Sequence, residues 1–110
     1  MKLQDIEKKL GYTVVTLPDV DVEITDAYTS DLLSDVMGNA PEDSVLITIQ
    51  GHKNSIAVAS LIGMQAIILC NKRSAPEDMV DAAISESIAI FTTSDSQFIA
   101  SCKIGTLLNS

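Results

Sequence analysis

A chain of 110 residues, 46% apolar and 20% charged, is expected to form one globular domain over residues 1–110, which excludes intrinsic disorder. Fifteen Asp and Glu against seven Lys and Arg give a net charge of -8, which repels phosphate backbones and anionic lipid and argues against nucleic-acid or membrane binding. No apolar stretch approaches the ~20 residues of a membrane span, and MKLQDIEKKL is a charged helical pattern rather than a secretory leader, so the expected location is the cytoplasm.

Leu3, Ile6 and Leu10 recur at helical spacing and Gly11 supplies a stop, predicting a short amphipathic helix over residues 2–10. Tyr12 to Thr16 and Val22 to Tyr28 read as β-strands, joined by a turn carrying Pro18 and expected to pair as a hairpin. Ser30 is a candidate cap for a short helix bearing Leu32, Leu33, Val36 and Met37, ended by Gly38-Asn39. Val45 to Ile49, Ala66 to Cys70 and Ile88 to Thr92 are nearly continuous apolar runs, the pattern of parallel strands covered on both faces. Helices are predicted between and after them. Asn54 caps Ser55 to Ile62, Ser74 and Glu77 form a capping box around Pro76 for a helix to Glu86, and Ser94 with Gln97 repeats the box. Met79, Val80, Ala83 and Ile84 form the apolar stripe of the middle helix, and Phe98, Cys102 and Gly105 one face of the last. With right-handed crossovers the fold class is α/β, a small three-layer open sheet with parallel core strands.

In open α/β sheets ligands bind beyond the carboxyl ends of the strands. That rule selects Gln50, His52, Lys53, Asn54 and Ser55 after the first core strand, Asn71, Lys72 and Arg73 after the second, and Thr93 and Ser94 after the third. Lys53, Lys72 and Arg73 concentrate positive charge on one edge of an acidic chain, which points to a phosphorylated small molecule. No G-x-x-x-x-G-K-[ST] loop is present, so ATP hydrolysis has no support. Asp31 and Asp35, spaced i, i+4, could hold a divalent cation, although capping of a helix start explains Asp31 without one. Cys70 and Cys102 lie far apart and His52 is the single histidine, so no metal site and no iron-sulfur cluster are expected in the isolated chain; both thiols are expected in the core.

The stretch SDLLSDVM followed by ITIQGHKN resembles the stand-alone DRTGG-domain proteins of anaerobic bacteria, in the subgroup described as hydrogenase-associated, iron-sulfur-binding or serine-kinase-like. The likeness runs from LQDIEKKLG to FTTSDSQFIASCKIGTLL. It implies a fold similar to the N-terminal domain of HPr kinase/phosphorylase and a module attached to an enzyme, as in some CBS-containing pyrophosphatases and phosphate acetyltransferases. The chain departs from the family where relatives carry a G-D-R-like turn, here Gln50-Gly51-His52-Lys53, and an L-T-G-G turn, here Leu69-Cys70-Asn71-Lys72. Loss of the glycine pair removes the close backbone approach that glycine permits, so the family's ligand is not carried over.

The expected function is that of a non-catalytic regulatory or adaptor domain, a homodimer, working with a redox (hydrogenase-like) or signalling enzyme complex and docking through Leu32, Leu33 and Met37. The alternative is a small-molecule sensor that holds a nucleotide or phosphorylated metabolite in the loops at 50–55, 71–74 and 93–95.

Overall fold

The computed structural model describes residues 1–110. In chain order the elements are α1 (Leu3–Leu10), β1 (Thr13–Thr16), β2 (Asp26–Thr29), α2 (Leu33–Asn39), β3 (Ser44–Thr48), α3 (Lys53–Ile62), β4 (Ala66–Leu69), α4 (Glu77–Glu86), β5 (Ala89–Thr92) and α5 (Gln97–Leu108). The strands form one sheet in the order β1-β5-β4-β3-β2, with β2 to β5 parallel and β1 antiparallel to β5. Every residue of β3 and β4 is buried, as their unbroken apolar sequences require.

Successive side chains on each strand point to opposite faces, and each face has its own core. Val45, Ile47, Ile68 and Phe91 pack with Leu3 and Ile6 of α1 and with Ala100 and Ile104 of α5. Leu46, Ile67, Leu69 and Ile90 pack with Val36 of α2, Ile56 and Ala59 of α3, and Met79 and Ala83 of α4. The result is the three-layer α/β sheet that the sequence predicts.

The predicted hairpin is not formed, because β1 and β2 occupy opposite edges of the sheet. Four strand spacings of ~4.8 Å separate the edges by about 19 Å, a distance that the nine residues 17–25 cross with slack. The second strand is correspondingly shorter than predicted: Asp26 to Thr29 pair with Ser44 to Ile47, while Glu23 makes only an isolated bridge to Lys2.

The caps of α3, α4 and α5 each differ by two residues from those predicted. His52 rather than Asn54 caps α3, its Nδ1 accepting from the Asn54 N–H at 3.0 Å. Pro76 precedes α4 without a side-chain bond, and Ser96, not Ser94, caps α5 through the Ile99 N–H at 3.2 Å. Loops rich in Ser and Asn offer several capping residues, and the strand end selects among them. On α4 only Met79 and Ala83 of the predicted stripe are buried, and Ile84 is exposed. The face predicted for α5 is also wrong: Ala100 and Ile104 face the sheet, leaving Phe98 73% exposed and the Cys102 thiol on the surface. No helix is long and apolar enough to cross a membrane.

Candidate functional site

The loops after β3 and β4 lead to α3 and α4 on one face of the sheet, whereas the loop after β5 leads to α5 on the other. Neighbouring loops after β4 and β5 therefore diverge at the carboxyl ends of their strands, the arrangement that opens a crevice in α/β sheets. A cleft of about 560 Å³ lies there. It is lined by Lys72, Arg73, Ser74 and Ala75 from the first loop, by Thr92, Thr93 and Ser94 from the end of β5, and by Thr13 and Val15 of β1.

Main-chain bonds fix the walls. Asn71 and Lys72 both adopt left-handed conformations, φ 57° and 61°, and the Arg73 N–H closes their turn on the Cys70 carbonyl at 3.1 Å. The Asn71 and Lys72 N–H groups reach across to the carbonyls of Asp95 (2.9 Å) and Thr93 (3.0 Å), tying the two loops together. These are the positions where the sequence lacks the family's glycine pair, and the glycine-like backbone is nevertheless present. Gly51, after β3, touches the same wall: a Cβ there would stand 2.7 Å from the Ser74 carbonyl oxygen.

Asp95 anchors the opposite wall. Its Oδ2 accepts from the Tyr12 hydroxyl at 2.8 Å and from Lys103 Nζ at 2.7 Å, and the same ammonium sits 5.8 Å from the centre of the Tyr12 ring. Lys103, then Tyr12, hold the Asp95 carboxyl below the usual carboxylate range, while burial, reinforced by Asp95, pushes the Tyr12 phenol up. Burial also raises the Cys70 thiol to about 11, so it stays protonated and unreactive at neutral pH.

The cleft is positively charged by omission of acids. Lys2, Lys9 and Lys103 are ion-paired, but neither Lys72 nor Arg73 has a carboxylate partner, and no Asp or Glu lines the cleft. Two adjacent cations without carboxylate partners stand out in a chain of net charge -8.

Of the ten predicted ligand residues, the cleft gathers Lys72, Arg73, Thr93 and Ser94. Asn71 shapes it through its backbone only. Gln50 and Ser55 serve the β3–α3 connection, the buried Ser55 hydroxyl donating to the Gln50 carbonyl at 2.8 Å. Lys53 and Asn54 line a separate hollow of about 360 Å³ between α3 and α4, and His52 is used as a cap. Thr13, Val15, Ala75 and Thr92 lie outside the predicted ligand residues; Thr13 and Val15 enter because β1 pairs with β5, Thr13 opposite Thr92, rather than with the next strand.

The two carboxylates spaced i, i+4 serve different partners. Asp31 precedes α2, and its Oδ1 accepts from Thr48 Oγ1 (2.9 Å), the Ile49 N–H (3.0 Å) and Gln97 Nε2 (3.0 Å), pinning α5 and the end of β3 together. Asp35 accepts from the Tyr28 hydroxyl at 2.9 Å and from Asn39 at 3.0 Å. Of the predicted docking residues, Leu32 and Met37 are 64% and 51% exposed, whereas Leu33 is half-buried and packs against the core beneath α2.

No protein-family model matches the chain, and no curated protein sequence matches it. Among solved structures it is similar to the CBS and DRTGG domains of the regulatory region of Clostridium perfringens pyrophosphatase, a structure complexed with the activator diadenosine tetraphosphate. The TM-score is 0.72 at 13% identity, over 91% of this chain and 44% of that one, so this chain spans less than half of that structure. The likeness establishes the fold: a DRTGG-like α/β architecture built on a mostly parallel five-stranded sheet.

Proposed function

We propose that this chain is a non-catalytic regulatory domain that senses a phosphorylated small molecule in the cleft between the loops after β4 and β5. The observation that carries the reading is the pair Lys72-Arg73, free of carboxylate partners, on the rim of a 560 Å³ cleft at the divergence of the loops. The volume falls in the range of small-molecule sites, ~300–1,000 Å³. Arg73 supplies a planar fork of donors suited to two phosphate oxygens, and Lys72 a point charge beside it. A ligand held by both loops and by β1 would brace the α4 side of the sheet against the α5 side, which is how its binding would be felt by an attached enzyme. The similar solved structure is itself a regulatory region, complexed with a nucleotide activator.

Thermal unfolding of the protein against a panel of phosphorylated metabolites tests the reading. Ligand at ~100 times its dissociation constant adds about 2.7 kcal/mol of stability, a shift of several degrees in the midpoint. The expected result is a shift that Lys72→Ala with Arg73→Ala abolishes and Lys53→Ala preserves. A shift indifferent to the first pair and lost with the second would move the site to the hollow between α3 and α4.

A second reading is favoured by one observation, the exposure of Leu32 and Met37 on α2. In it the domain is an adaptor for a redox or signalling enzyme, the hydrogenase-associated role that the sequence resemblance implies. Retention of a partner by the native protein and its loss with Leu32→Ser and Met37→Ser would support that reading.

A further inference from the structure

The lining of the cleft is polar beyond its two cations. Besides Lys72 and Arg73 it includes five hydroxyls, those of Thr13, Ser74, Thr92, Thr93 and Ser94. Only the Thr93 hydroxyl has a bond inside the protein, accepting from the Asp95 N–H at 3.1 Å. The other four are free to meet a ligand, as are the main-chain N–H groups of Ser74 and Ser94, which have no acceptor in the protein. A surface rich in unpaired hydroxyls and amides suits a ligand that itself carries many hydroxyls.

The same cleft offers no aromatic ring to a nucleobase. The chain has four aromatic residues, and none lines the cleft. The Tyr12 and Tyr28 hydroxyls are bound to Asp95 and Asp35, Phe91 is buried against α1 and α5, and Phe98 lies exposed on α5. A base stacks on an aromatic ring or an apolar wall, and here the apolar lining is Val15 and Ala75 alone.

We infer that the cleft selects a small phosphorylated polyol over a nucleotide, with the phosphate on Lys72 and Arg73 and the hydroxylated carbon skeleton on the free hydroxyls of Ser74, Ser94, Thr13 and Thr92. This rests on the anion-binding reading above and narrows it to a class of ligand.

The experiment is calorimetric titration of the full chain, in low-salt buffer without phosphate, with ribose 5-phosphate, AMP and inorganic phosphate. Ribose 5-phosphate and AMP share a phosphate and a pentose and differ by the base. The expected result is that ribose 5-phosphate binds more tightly than AMP. Ser74→Ala with Ser94→Ala should then weaken ribose 5-phosphate about 5–10-fold, from the loss of one to two hydrogen bonds, while inorganic phosphate changes less than about twofold. AMP binding about tenfold tighter than ribose 5-phosphate, with both lost in Lys72→Gly plus Arg73→Gln, overturns the polyol selectivity and leaves the anion site standing. Equal affinities that ignore the serine substitutions also overturn it. Absence of binding by all three probes, or binding that ignores the cation substitutions, overturns both the selectivity and the anion site.

Discussion

Replacing Lys72 by glycine should make the unliganded protein more stable while weakening its grip on anions. Asn71 and Lys72 form a two-residue turn with both φ angles positive, a geometry for which Asn-Gly is the preferred sequence. A left-handed conformation costs a residue with a Cβ ~1–2 kcal/mol, and the greater freedom of glycine in the unfolded chain returns ~0.5–1 kcal/mol of that gain. The Lys72 side chain is exposed and makes no hydrogen bond or ion pair, so nothing else is lost on truncation. The net gain is about 0.5–1 kcal/mol, a rise in midpoint of roughly 2–4 °C for a domain of this size. Thermal and urea unfolding followed by circular dichroism, in buffer free of phosphate and sulfate, measures it. An unchanged or lowered midpoint would refute the claim that the turn is strained. A raised midpoint together with a lost ligand response would show a residue kept at a conformational cost for the charge it brings to the cleft.

Four further expectations follow from packing and charge. Gly51→Ala drives a methyl to 2.7 Å from the Ser74 carbonyl, so it should destabilise the fold by ~1–3 kcal/mol in urea titration and distort the cleft wall. Thiol titration should count one reactive cysteine per native chain, Cys102, and two after unfolding, because Cys70 is buried. Since the folded thiol of Cys70 titrates near 11, above its unfolded value, its contribution to stability is complete below the unfolded pKa and is lost as pH rises toward 11; Cys70→Ala should flatten that decline in denaturation midpoints measured across the range. On the acid side Asp95 has the opposite sign. Its carboxyl is held low by Lys103 and Tyr12, so the stabilisation is present above the ordinary carboxylate range and disappears as pH falls through the folded value, a slope that Asp95→Asn should reduce.

The central strands were legible because they are buried on both faces. The predicted runs from Val45, Ala66 and Ile88 match β3, β4 and β5 to within one residue at each end, since a strand with no solvent face needs no polar alternation. Edge strands carry no such mark. Nothing in Tyr12 to Thr16 says that its partner is β5 rather than the next strand, as that choice is made by which edge of the finished sheet is open. The last helix misled for a related reason: Phe98 and Cys102 share one stripe and Ala100 and Ile104 another, and the small alanine that lets α5 approach the sheet carries little hydrophobic signal.

The site was half legible. Strand ends and cations pointed to Lys72, Arg73, Thr93 and Ser94, all of which line the cleft. Lys53 and His52 follow the same rule, yet their loop feeds α3 on the same face as α4, so no divergence opens beside them. Which neighbouring loops part company depends on α5 crossing to the other face, a property of layer order rather than of any local motif.

The most direct measurement is a map of backbone amide shifts in labelled protein titrated with inorganic pyrophosphate. The account predicts saturable changes confined to residues 13–15, 72–75 and 92–95, and absent from Lys72→Gly with Arg73→Gln. Saturable changes centred on residues 52–57, or no saturable change in any amide, would contradict it.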